Sequence, residues 1–295
     1  MNGSVIAVVN MKGGVGKTTT VVSLSETLAA EENAPVLVID MDAQASASYC
    51  LAGDELLTRL IENDQTVDAY FEDALINGPR KPIEHYICSQ VSEVTHLGNN
   101  LDVSLLASTA QLRIAEREII YNLSERGYGL HGIEGQTKTI LSHDIEHLRR
   151  SYRYIVFDCA PGISAFTAAA TALADLVVVP TIPDFLSHLG LVAFTKRVIG
   201  EQRDSNALPP YVLVTKKRAT KHHDDYVKLI HKMGKQQGAP FRVMDTIIKE
   251  MQALPTALEM TGAYPTYSMK YPPVLSDVLT GLTREIREAL NGARP

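Results

Sequence analysis

The sequence predicts an α/β protein, a doubly wound, mostly parallel sheet with helices on both faces. Short β-branched runs alternate with helix-period segments along the chain. The runs are apolar throughout rather than alternating, as suits strands covered on both sides. A glycine-rich turn follows the first run and feeds straight into a helix, and strand-helix alternation of this kind builds a parallel sheet.

Taken in order, residues 4–10 (SVIAVVN) read as the first strand, 17–30 as a helix and 35–42 (PVLVIDMD) as the second strand. Residues 52–100 are mixed, helical in LLTRLIE and VDAYFEDALI and broken at Gly78-Pro79 and Lys81-Pro82, which predicts an excursion along the sheet's edge. A strand over 101–108 (LDVSLLAS) precedes a helix reaching about Ser124, and four glycines in 126–138 (RGYGLHGIEGQTK) predict a mobile loop. Strands follow at 152–158 (YRYIVFD), 175–181 (DLVVVPT) and 211–216 (YVLVTK), with a helix near 164–174. The final helix, 274–290, places Leu275, Val278, Leu279, Leu282, Ile286 and Leu290 on one face, as a helix docking on the sheet does. We read the whole of residues 1–295 as one domain, with 52–100 and 126–138 as insert and loop regions.

Composition narrows the classes of function. With 45% hydrophobic and 21% charged residues the chain should fold without staples. Cys50, Cys88 and Cys159 are odd in number and contain no C-x-x-C pair, so neither a disulfide framework nor a zinc site is indicated, and a reducing cytosol is the expected setting. No secretion signal opens the sequence, and no run of about 18 apolar residues offers a membrane span.

The chemistry concentrates at KGGVGKTT, residues 12–19, between the first strand and its helix. Gly13, Gly14 and Gly16 let backbone N–H groups converge on phosphate oxygens, and the helix N-terminus adds its dipole. Together Gly13, Gly14, Val15, Gly16, Lys17, Thr18 and Thr19 form a nucleotide-binding set, with Lys17 along the β- and γ-phosphates and the Thr18 hydroxyl on Mg²⁺. The usual loop has glycine where this chain has Met11, and Lys12 is a second lysine that phosphate binding alone does not require. Carboxylates stand at the ends of two other strands: Asp40 and Asp42 in VIDMDAQAS, and Asp158 in YIVFDCAPG. Ligands of open α/β sheets bind at such ends. Hydrolysis of a phosphoanhydride needs a metal holder and a group that orients water, so Asp158 is assigned to the Mg²⁺ shell through water and Asp42 to the attacking water. Asp40 is either a further metal candidate or a structural partner of Lys17 or Thr18.

KGGVGKTT, the D-x-D-x-Q segment at 40–44, the strand ending in Asp158-Cys159, and LLAST followed by a Glu-rich helix (105–118) together resemble the ParA/MinD family of deviant Walker A ATPases, most of all its ParA branch. The resemblance spans nearly the entire chain. It implies an ATP- and Mg²⁺-dependent ATPase of weak intrinsic turnover. It also gives Lys12 a role, reaching the nucleotide of a second subunit so that ATP is sandwiched in a homodimer. Departures are Ala43 for the family's proline, CAPG for C-P-P-S, and Ile248 where relatives carry Ile-Pro, which leaves the residues holding the base open.

From 213 to 249 nine Lys or Arg face three Asp, a net +6 within a chain of net −6. Such a stretch is either a solvated face or a phosphate-backbone surface that becomes bivalent on dimerisation. By resemblance, Lys216, Lys217, Arg218, Lys221 and Lys249, with Lys196 and Arg197 in a second region, are candidates for non-specific DNA contacts. With the phosphate loop within about a dozen residues of the start, no operator-binding domain is expected before it, and operator binding is not expected of this chain. The expected function is a cytoplasmic, nucleoid-associated switch that positions a plasmid, chromosome or other cargo, with a ParB-like or cargo-adaptor partner stimulating hydrolysis. The alternatives are a MinD-like membrane-surface regulator, which the mixed charge of the last helix disfavours, and a metabolic ATPase of the same fold. An iron-sulfur variant of the latter needs a second cysteine ligand beside Cys159, and none is evident.

Overall fold

A computed structural model describes residues 2–78, 80–162, 164–204, 207–259 and 266–292. The strands are β1 (Ser4–Val8), β2 (Val36–Met41), β3 (Thr95–His96), β4 (Asn99–Asn100), β5 (Val103–Leu106), β6 (Tyr154–Cys159), β7 (Leu176–Thr181), β8 (Tyr211–Lys217) and β9 (Arg242–Lys249). All but the small β3–β4 hairpin join one seven-stranded sheet in the order β5-β2-β6-β1-β7-β8-β9. Every pairing in that sheet is parallel. The predicted doubly wound α/β fold is thus the one observed.

Side-chain alternation along β1 divides the core in two. Ile6 and Val8 face one apolar layer, under α1 (Lys17–Glu32), α2 (Ser46–Glu62) and α12 (Pro273–Gly292). Val5 and Ala7 face the other, under α3 (Val67–Glu72), α4 (Leu112–Glu125), α5 (Leu130–Leu148), α6 (Ala165–Leu173) and α7 (Phe185–Ala193). Both layers are fully buried, which is why the strand runs are apolar without alternation. The remaining α-helices among the described residues are α8 (Gly200–Gln202), α9 (Lys221–Gly234), α10 (Ala253–Glu259) and α11 (Tyr267–Lys270).

Three segments differ from, or fill in, the sequence reading. The loop expected at 126–138 is helical from Leu130, where α5 begins. Ile133, Thr137, Leu141, Ile145 and Leu148 recur at helical spacing and are buried, which outweighs a cost of about 1 kcal/mol for each glycine in the helix. Gly127, with φ 89°, and Gly129, at the N-cap of α5, make the turn before it. Second, β9 lies in a stretch read from its charges. It is an edge strand with Arg242, Asp245 and Lys249 exposed, so its apolar signal is half that of an inner strand. Third, the excursion over 52–100 runs along the edge strand β5, through the bridges Thr66–Ala107 and Cys88–Leu105. It is pinned to α5 where Arg80 and Tyr70 both donate to the buried Asp144 carboxylate. Pro79, part of the predicted break, lies outside the described residues.

The apolar face of α12 is buried at Leu275, Leu279, Leu282, Ile286 and Leu290. Glu285 accepts the backbone N–H groups of Asp245 and Thr246 at 2.7 Å, and the Thr283 hydroxyl donates to Glu31 at 2.7 Å, fixing α12 to β9 and α1. Among the described residues, no helix is long and apolar enough to cross a membrane.

Candidate functional site

The loop between β1 and α1 is shaped by its glycines. Gly14 has φ 74° and Gly16, at the N-cap of α1, has φ 89°. Side chains with a Cβ rarely adopt that left-handed region. A Cβ on Gly13 or Gly14 would meet nothing within 4 Å, so the inner face of the loop is open. Two side chains fasten the loop to the sheet. Asn10 donates to the Pro180 carbonyl at 2.7 Å and accepts the Lys12 N–H at 2.9 Å. Thr215, on β8, donates to the Val15 carbonyl at 2.7 Å. Thr18 and Thr19 are half-buried in the first turn of α1.

Lys17 is the centre of this site. It is 7% exposed, and its Nζ lies 3.4 Å from the Lys12 carbonyl, curled back over the loop. Burial lowers the pKa of its ammonium, while the nearby Asp158 and Asp42 carboxylates hold it up. A cation placed like this has been stripped of water and is compensated only by charges at neighbouring strand ends.

Those strand ends are aligned by register: Asp40 on β2 pairs directly with Asp158 on β6. Both are fully buried, yet they differ in their partners. Asp40 accepts the Asp42 N–H at 3.0 Å, the Ser48 N–H at 2.9 Å and the Ser48 hydroxyl at 2.8 Å. Its oxygens are therefore spent on shaping the turn into α2, rather than on Lys17 or Thr18. Among the described residues, neither carboxylate oxygen of Asp158 has a conventional hydrogen bond. Burial pushes its carboxyl well above the ordinary aspartate range, reinforced by Asp40 and eased by the Thr18 hydroxyl and Lys17. A buried carboxylate with idle oxygens beside a hydroxyl and an ammonium is equipped to receive a hydrated cation.

Asp42 starts the turn after β2, accepting the Gln44 N–H at 3.0 Å. Ala45, at the N-cap of α2, takes φ 51°, and its N–H donates to the Asp42 carbonyl at 2.8 Å. Lys12 is less free than its sequence position suggests. Its Nζ lies 2.9 Å from Asp184 Oδ2 and 3.1 Å from Ser187 Oγ. Neither partner was picked out from the sequence, although an Asp placed just before a helical stretch is an N-cap signal.

The basic candidates separate. Lys217 is paired with Asp224 at 2.6 Å, and Arg218 forms a fork with Glu250 at 2.5 and 3.0 Å. Lys216, Lys221 and Lys249 are exposed, without an ion pair among the described residues. Lys217 and Lys249 are register partners, which puts this group at the C-terminal ends of β8 and β9. Lys196 and Arg197 are exposed on a π-helical stretch, Phe194–Ile199. Arg197 lines a groove of about 520 Å³ with Lys138, His131, Glu134 and Glu201, a mixed rather than basic surface.

A family model described as an AAA domain (AAA_31) matches residues 3–207. The chain is 30% identical over 196 residues to the chromosome partitioning protein ParA of Myxococcus xanthus, spanning 66% of this chain and 58% of that protein. It is 29% identical over 215 residues to the sporulation initiation inhibitor protein Soj of Bacillus subtilis, spanning 72% of each. Among solved structures, a proposed plasmid partition protein from Borrelia burgdorferi B31, bound to AMPPNP, superposes with a TM-score of 0.66 at 21% identity, covering 97% of this chain and 99% of that one.

Proposed function

The chain belongs to the ParA/MinD family of P-loop ATPases, and from that premise we propose that it is an ATP-dependent dimerising switch that hydrolyses ATP weakly. In this reading it binds DNA without sequence preference and positions a plasmid, chromosome or other cargo with a ParB-like or adaptor partner. It works in the cytoplasm and sits on the nucleoid when ATP is bound.

The observation that carries the reading is the buried Lys17, closed in by the phosphate loop on one side and by Asp158 and Asp42 on the other. Lys17 offsets charge on the β- and γ-phosphates, and the loop N–H groups position them. Thr18 and, through water, Asp158 would hold Mg²⁺, which would supply the remaining charge neutralisation. Asp42, buried at 8% exposure and close enough to Lys17 to hold its pKa up, orients the attacking water. Lys12 completes the site of a second copy, as a cation supplied in trans does for other phosphoryl-transfer enzymes. Lys216, Lys221 and Lys249 supply phosphate-backbone contacts that dimerisation doubles. The buried apolar face of α12 speaks against the membrane-surface alternative.

Light scattering with and without ATP tests the cross-subunit role. Wild type shifts from monomer to dimer on adding ATP, and Lys12→Ala stays monomeric while still binding nucleotide. An ATP-induced dimer in that variant would overturn the assignment.

A further inference from the structure

We propose that Asp184 and Ser187 form a latch that holds Lys12 within its own subunit and must open before Lys12 can serve another. The proposal rests on the dimerising-switch reading and concerns how that switch is restrained.

The two oxygens of Asp184 have separate partners. Oδ1 accepts the Ser187 N–H at 2.7 Å and so caps α7, while Oδ2 takes the Lys12 ammonium at 2.9 Å. The Ser187 hydroxyl meets the same ammonium at 3.1 Å. Burial by itself would raise the Asp184 carboxyl, but the Ser187 N–H and Lys12 outweigh it and hold it below the ordinary range. The Lys12 and Asp184 side chains are 37% and 29% exposed, so the pair is partly shielded and still within reach of solvent. Such a pair is strong enough to bias a long side chain and weak enough to exchange for a triphosphate. The latch can open without uncapping α7, because its cap bond uses the other oxygen.

The surroundings match a contact that opens outward. Met11, beside Lys12, is 50% exposed, and Phe185, Leu186 and Leu189 on α7 are 53%, 69% and 59% exposed. A cleft of about 100 Å³ separates Met11 from Leu186 and Gly190. The ion pair thus sits within an apolar rim on the surface from which Lys12 must depart, a rim that a second copy would cover. Release of Lys12 and burial of the rim then belong to one event, and the latch sets how much ATP that event requires.

Asp184→Asn tests this, since an amide oxygen keeps the α7 cap while the negative charge that faces Lys12 is lost. The ATP concentration for half-maximal dimerisation, read by light scattering, should fall roughly five-fold, the size expected of a partly exposed pair. Adding Lys12→Ala should abolish dimerisation in both backgrounds. Unchanged or weaker dimerisation of Asp184→Asn overturns the latch. A second measurement does not depend on dimerisation: amine labelling of the nucleotide-free chain, mapped by mass spectrometry, with the exposed Lys221 as internal standard. Lys12 should label several-fold more slowly than Lys221 in wild type and approach it in Asp184→Asn and Ser187→Ala. Equal labelling in wild type overturns the latch. If no ATP-dependent dimer forms in any background, the switch reading fails, and the labelling ratio alone decides whether Lys12 is held.

Discussion

Asp40 and Asp158 stand side by side in register, both wholly buried, and elementary electrostatics forbids two such carboxylates from ionising freely. Asp40 is supported by three donors, two of them from Ser48, whose hydroxyl in turn accepts the Ser108 N–H at 2.9 Å. Asp158 has no comparable support, and burial, then Asp40, raise its pKa. The linkage has a definite sign. A carboxyl raised in the folded state holds a proton there that the unfolded chain releases near its ordinary value of 3.8, so its contribution to stability is lost as pH rises toward the folded value. Thermal melts of the nucleotide-free protein should therefore show Asp158→Asn gaining on wild type as pH rises from about 4, while ATP turnover is lost. A stability difference that does not move with pH would show that Asp158 is not the proton holder. The identity of these residues could be read from strand-end carboxylates beside a glycine loop. Their division of labour could not, because it depends on Ser48, and nothing near Ser48 marks it as a partner of Asp40.

At the scale of elements, α1 does more than present the phosphate loop. Its Glu26, 1% exposed, accepts from Lys270 at 2.8 Å and Tyr271 at 2.5 Å, with the Ser92 hydroxyl at 3.3 Å. A buried charge with three donors ties α1 to the C-terminal end of α11 and to the 52–100 excursion at once. Lys270→Met should destabilise the fold by about 3 kcal/mol, because it leaves the Glu26 charge uncompensated. A midpoint shift in urea unfolding measures this, and a neutral result would show that Tyr271 and Ser92 suffice. The helix α12 was legible from its 3.6-residue period, and α1 from the glycine loop that feeds it. The start of α5 was obscured by glycines whose cost is covered by tertiary burial, and β9 by charges on its solvent side.

For the molecule as a whole, the question is where a chain of net −6 keeps surface for a polyanion. Ion pairing answers part of it. Lys217 and Arg218 are paired with Asp224 and Glu250, so Lys216, Lys221 and Lys249, at the C-terminal ends of β8 and β9, are the cations of the proposed DNA surface that need break no ion pair among the described residues. Reversing these three to Glu should weaken DNA binding in ATP and reduce the salt slope by roughly one unit per lysine, as fluorescence anisotropy at several salt concentrations would show. An unchanged slope would move the DNA surface elsewhere. The sheet, the phosphate loop and the strand-end carboxylates could be read along the chain, because they follow from local periodicity and from residue types with few other uses. Which charges are available emerged with the folded arrangement alone. It commits Asp40 to a turn, leaves Asp158 without a full set of partners, and holds Lys12 on Asp184, a residue 172 positions away. The physical reason is that charge pairing and desolvation depend on distance in space, which the chain sets only once the sheet has brought its strand ends together.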